Sequence, residues 1–81
     1  MTYTVCRMQH PSGQVAHLDS FGTEDAAKMC LANVVEEALA GRSDLSRGEV
    51  RELVDEAVRT GRFELCNPSG ERDSYFYIDK E

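Results

Sequence analysis

Leu45-Ser46-Arg47-Gly48-Glu49-Val50-Arg51-Glu52-Leu53-Val54-Asp55-Glu56-Ala57-Val58-Arg59-Thr60-Gly61 is the stretch that decides how the rest of the chain is read. Ser46 and Glu49 have the spacing of a capping box, in which a hydroxyl and a carboxylate each satisfy a backbone N–H that the first helical turn leaves free. Leu45 and Val50 bracket them as a hydrophobic staple. Val50, Leu53, Val54, Ala57 and Val58 recur at helical spacing, and Gly61 stops the helix after Arg59. The opposite face carries Arg51, Asp55 and Arg59 at i, i+4 spacing, with Glu52 and Glu56. A helix with one apolar stripe needs a second element to cover it.

Toward the N-terminus a second amphipathic helix is expected from about Glu24 to Ala40. Thr23 is a suitable N-cap, Glu24 and Asp25 complement the positive end of the helix dipole, and Gly41 suits the position after the last turn. Ala27, Cys30, Leu31, Val34, Val35 and Ala38 share its apolar side. Beyond the helices lies a weak repeat. His10-Pro11-Ser12-Gly13 and Asn67-Pro68-Ser69-Gly70 read as the same turn written twice, because Pro presets φ and Gly accepts left-handed backbone. Each turn separates two strand-like runs, Thr4–Gln9 from Val15–Asp19 and Arg62–Cys66 from Ser74–Asp79.

The expected order is therefore ββααββ in a single domain, residues 1–81. This predicts an α+β fold, a small antiparallel sheet with two helices packed on one face. Alternation pairs Phe63 with Leu65 and Phe76 with Ile78. If these meet in the core, Asn67–Asp73 is a longish loop and Tyr75 and Tyr77 face outward. The strand order is not readable.

The formal charge is −6, and all of it sits in the middle. Residues 19–56 hold ten of the 15 acids and four of the nine bases, while the flanks cancel. A chain of this length buries only about 60% of its unfolded surface. Hydrophobic content of 41% with 30% charged residues suits a folded domain and is too apolar for a disordered tail. No apolar run approaches the roughly 20 residues that span a bilayer, and Met-Thr-Tyr-Thr-Val-Cys-Arg does not open like a signal peptide. Cys6, Cys30 and Cys66 form neither CxxC pairs nor a disulfide framework, which suits a reducing cytoplasm.

Catalytic readings are thin. A four-residue loop from His10 to Gly13 would place Cys6 opposite His17, within about 5 Å between Cβ atoms. A thiol beside an imidazole is how cysteine nucleophiles are activated, but no orienting Asn or Asp is identifiable and a hairpin face is a poor pocket. Cys6, His10 and His17 do not match metal-ligand spacing and lack a fourth ligand, so no metal or cofactor is expected. Glu36-Glu37 and Asp55-Glu56 diverge by about 100° on a helix, which is wrong for paired acid–base work across a cleft. Gly41, Gly48 and Gly61 are isolated and build no phosphate loop.

Three binding readings remain. A winged helix-turn-helix would read DNA through Arg51, Arg59 and Arg62, although a net charge of −6 works against phosphate neutralisation. An antitoxin-like module would hold one cognate neighbour by apolar contact. The third is an acidic surface that meets an Arg/Lys-rich protein, with Met29, Asn33, Glu36, Glu37, Asp44, Glu49, Glu52, Asp55 and Glu56 as its contacts. Tyr75 and Tyr77 are interface candidates, since surface Tyr is a frequent anchor. Arg42, Arg47 and Arg51 interrupt the acidic block, so charge complementarity to a protein fits better than mimicry of a phosphate ladder.

With its acidic middle helices and its hairpins around two Pro-Ser-Gly turns, the chain resembles the anti-CRISPR proteins, small acidic single-domain inhibitors carried by phages and mobile elements. The resemblance covers the whole chain in size and charge and involves no motif. It implies a non-enzymatic protein that binds a CRISPR effector complex or nuclease and prevents recruitment of target DNA by covering a basic channel.

Overall fold

The computed structural model describes all residues from Met1 to Glu81. The elements are β1 (Tyr3–Gln9), β2 (Val15–Phe21), α1 (Glu24–Leu39), α2 (Arg47–Thr60), β3 (Arg62–Cys66) and β4 (Arg72–Lys80). The ββααββ order and the α+β class agree with the sequence reading. The strands form one antiparallel sheet in the order β2-β1-β4-β3. Each hairpin pairs internally, and the first and last strands join the hairpins at the centre. Thr2 and Glu81 exchange both backbone hydrogen bonds there, at 2.9 and 2.8 Å.

Both helices lie on one side of the sheet. The core joins Val5, Leu65 and Phe76 of the sheet to Ala27, Leu31, Val35 and Leu39 of α1 and Ala57 of α2. The expected stripe of α1 is the buried one, extended by Leu39. On α2 only Ala57 is fully buried, while Val50, Leu53 and Val54 pack half-buried at the margin. That helix relies on its ends. Ser46 Oγ accepts from the Glu49 N–H and the Glu49 carboxylate accepts from the Ser46 N–H, both at 3.2 Å. Gly61 closes it with a φ of 76°, in the left-handed region that glycine adopts without a Cβ clash.

Several boundaries differ from expectation. The second helix continues to Thr60, β2 runs on through Phe21, and β4 begins at Arg72. The second hairpin loop is therefore residues 67–71, shorter than Asn67–Asp73. The two Pro-Ser-Gly segments are not one turn written twice. Asn67 Oδ1 accepts from the Ser69 N–H, the Ser69 hydroxyl and the Glu71 N–H at 3.1, 2.7 and 3.0 Å, which organises the second loop. His10 holds the matching position in the first turn and cannot do this. Its imidazole instead approaches Glu64 at 3.5 Å. Nor is the β3–β4 hairpin a free wing, because β4 is a central strand paired along its length with β1.

A bulge interrupts the β1–β2 pairing. Val5 faces Asp19 and Cys6 faces His17, which leaves Leu18 without a cross-strand partner. Bulges are common on edge strands, where they disturb a surface that could pair with another chain. Every residue of β2 before Phe21 is exposed.

Candidate functional site

Apart from Asp19 on β2, the acids of the middle segment lie on the helices and the loop joining them, on the side of the sheet that the helices cover. Their surroundings sort them. Asp44 is held by the Arg42 guanidinium through two hydrogen bonds of 2.8 and 2.7 Å, and Arg42 also donates to the Cys66 carbonyl at 2.8 Å. That clamp ties the α1–α2 loop to the end of β3. It lowers the Asp44 pKa and raises that of Arg42, in each case chiefly through their shared hydrogen bonds. Glu49 is engaged in the helix cap, and Glu56 reaches Arg59 only at 3.9 Å. Glu36, Glu37, Glu52 and Asp55 are exposed and form no ion pair.

A groove of about 690 Å³ separates the end of α1 from the start of α2. Leu39, Leu45, Val50 and Val54 supply its apolar lining, with Glu36 contributed by α1 and Asp55 by α2. Arg42, Arg47 and Arg51 line the same groove. The three bases that interrupt the acidic block in sequence are thus gathered in space, which sequence spacing does not reveal. Asn33, Glu36, Glu37 and Ala40 border a shallower depression of about 390 Å³. Met29 stands further along the same helix at 71% exposure and does not pack against α2.

Tyr75 and Tyr77 belong to a different surface. They alternate with Ser74, Phe76 and Ile78 along β4, and so project from the helix-free face of the sheet. Their rings stack at 5.5 Å between centroids. The sequence candidates therefore fall into two groups on opposite sides of a molecule whose principal extents are 38 × 29 × 17 Å. One flat interface cannot use both. The proposed DNA-reading arginines are dispersed as well. Arg51 lines the groove, Arg59 lies at the far end of α2, and Arg62 pairs with Tyr77 on the helix-free face.

Cys6 faces His17 in the register expected from a four-residue loop. Its chemistry is not that of an activated nucleophile. The residue is 1% exposed and burial raises its pKa, the Tyr77 hydroxyl opposing this only in part. The thiol, which lies 3.7 Å from the Thr4 carbonyl, therefore stays protonated at neutral pH. No group of three or more His, Cys, Asp or Glu side chains is placed to hold a metal ion.

Two placements were not anticipated. Arg7 projects from β1 toward the helices, where its Nε donates to Ser74 Oγ at 3.0 Å and its guanidinium lies 5.5 Å from the Phe76 ring centre. This satisfies Ser74, the one fully buried polar residue. His10, Glu64 and Arg72 meet beside the hairpin loops, with Arg72 Nε 3.2 Å from Glu64.

These features define a two-layer α+β domain with an acidic helical layer on one side and an open, aromatic sheet face on the other. No family model, curated protein or solved structure matches the chain. No helix is long and apolar enough to cross a membrane, and all three cysteines are free.

Proposed function

We propose that the chain is a small non-enzymatic binding protein that inhibits by occlusion, laying its acidic helix layer over a basic nucleic-acid-binding surface of a partner. The observation that carries this reading is the set Glu36, Glu37, Glu52 and Asp55, exposed and without ion pairs on the two helices, with Glu36 and Asp55 lining the interhelical groove. Their field repels phosphates and attracts an Arg/Lys-rich surface. The groove is of mixed charge, with Arg42, Arg47 and Arg51 beside Glu36 and Asp55, and its half-buried Val50 and Val54 add apolar contact for the stem of a partner side chain. Met29 and Asn33 extend the contact along α1. As the anti-CRISPR resemblance implies, the partner is a CRISPR effector complex, and the outcome is failure to bind target DNA.

The test is affinity capture from the native host, followed by competition with duplex DNA on the retained protein. The expected partner binds nucleic acid, loses that binding when this chain is added, and associates more slowly as salt rises. A partner held equally well at low and high salt overturns the mechanism.

A further inference from the structure

Arg7 is held in place and yet left without a counter-charge. Its Nε donates to Ser74 Oγ at 3.0 Å, and its Cζ lies 5.5 Å from the centre of the Phe76 ring. These two contacts fix the plane of the guanidinium. Neither Nη nitrogen meets a carboxylate, although a half-buried guanidinium commonly finds one. An arginine fork without its acid is a preformed receptor for a carboxylate, which it takes up through paired N–H donors.

Arg7 lines a depression of about 380 Å³, within the roughly 300–1,000 Å³ of small-ligand sites. The other walls are Leu18 of β2, Val34, Glu37 and Ala38 of α1, and Phe76 of β4. Leu18 is there because of the bulge. The irregularity that leaves it without a partner on β1 also places its side chain on the α1 side, and bulges re-aim side chains in this way beside binding sites. Glu37 is exposed, is the only acid in the lining, and forms no ion pair with Arg7 or any other base. The depression thus presents one half-buried cation, one exposed carboxylate and aliphatic surface beside them. A simple carboxylate satisfies Arg7 and is repelled by Glu37, and a simple amine does the reverse. A free α-amino acid carries both charges on one carbon and satisfies both residues at once.

We propose that this depression binds a free α-amino acid with an aliphatic side chain, its carboxylate on the Nη groups of Arg7, its ammonium on Glu37, and its side chain against Leu18, Val34 and Ala38. The site is separate from the interhelical groove. It shares Glu37 with the acidic helix layer, so binding is read in the free chain, where failure of the occlusion mechanism leaves the result untouched. The depression is open and the ligand small, so a dissociation constant of about 0.1–1 mM is expected.

Titration of the full chain with L-leucine to about 10 mM, followed by backbone-amide and arginine side-chain NMR, tests this directly. The expected result is a saturable shift of the signals of Arg7, Leu18, Val34, Glu37 and Ala38. Isocaproate, which lacks the ammonium, and isoamylamine, which lacks the carboxylate, should each bind at least tenfold more weakly. Arg7→Gln should abolish binding. Because Arg7 also braces Ser74, Glu37→Gln is the variant that keeps the fold, its side chain being exposed. It should weaken leucine at least tenfold and leave isocaproate no weaker than before. The absence of any saturable shift up to about 10 mM overturns the proposal. So does leucine binding that is unchanged in either variant. Isocaproate bound as tightly as leucine by the native chain also overturns it and assigns Arg7 to carboxylates at large.

Discussion

Phe76 and Tyr77 are neighbours on one strand and belong to two different environments. Phe76 faces the helices, is 1% exposed, and touches a core assembled from segments distant in sequence. Tyr77 faces the other way and is half-buried only by its neighbours within the sheet. Burial on the covered face depends on the whole tertiary fold. Burial on the open face depends on strand register alone. The first should dominate stability, and the second should be nearly free to serve recognition.

Breaking this comparison requires the two truncations side by side. Phe76→Ala empties the core of its largest side chain and should cost about 3–5 kcal/mol, enough to unfold a domain of this size. Tyr77→Ala loses a stacked partner and part of a buried surface, and should cost only about 1 kcal/mol. Urea midpoints measure both. Equal losses would mean that the open face is structural rather than free.

A smaller effect separates the two helices of the covered side. α1 buries four side chains, Ala27, Leu31, Val35 and Leu39, whereas α2 buries only Ala57. Local signals should therefore count for more on α2. Ser46→Ala removes one half of the capping box and should destabilise by about 1 kcal/mol. Thr23→Ala at the start of α1 should cost less, because the Thr23 hydroxyl accepts a longer bond, 3.3 Å, and packing holds that helix. Amide exchange reports the difference as faster opening of the first turn of α2 in Ser46→Ala.

The same distinction explains what could be read from the chain. Both helices were legible because their caps and stripes lie within a few residues of each other, and Gly61 marks its turn by itself. The alternation of Phe63, Leu65 and Phe76 found the covered face. The strand order was not legible, because pairing β1 with β4 joins residues about seventy positions apart and leaves no local mark. The bulge at Leu18 was missed for the same reason, since it exists only relative to β1. On the candidate site, Glu36, Glu37, Glu49, Glu52, Asp55 and Glu56 do lie on the helices, while Asp44 lies in the loop between them. Three facts needed coordinates: Asp44 is neutralised by Arg42, the interrupting arginines line one groove, and the tyrosines stand on the opposite side. Each depends on distance between elements, not on spacing within one.

The smallest expected effect is invisible at neutral pH and sharpens the comparison from the open face. Burial raises the pKa of Cys6 above its ordinary 9.0, opposed in part by the Tyr77 hydroxyl, and raises that of Tyr77 above its ordinary 10.0, where the neighbouring Cys6 adds to the rise. In the unfolded chain both groups ionise at their ordinary values. Above about pH 9 the unfolded state therefore holds fewer protons than the folded state, and stability falls as pH rises. The contribution is complete below pH 9 and is lost as pH climbs through the raised folded values. Cys30, raised by burial and then by Asp19, adds a slope of the same sign from α1. Cys6→Ala should flatten the alkaline decline of the urea midpoint while changing its pH dependence between 6 and 8 hardly at all. An alkaline slope unaffected by that substitution would mean that Cys6 reaches solvent, and that the open face around it is looser than the stacked tyrosines indicate.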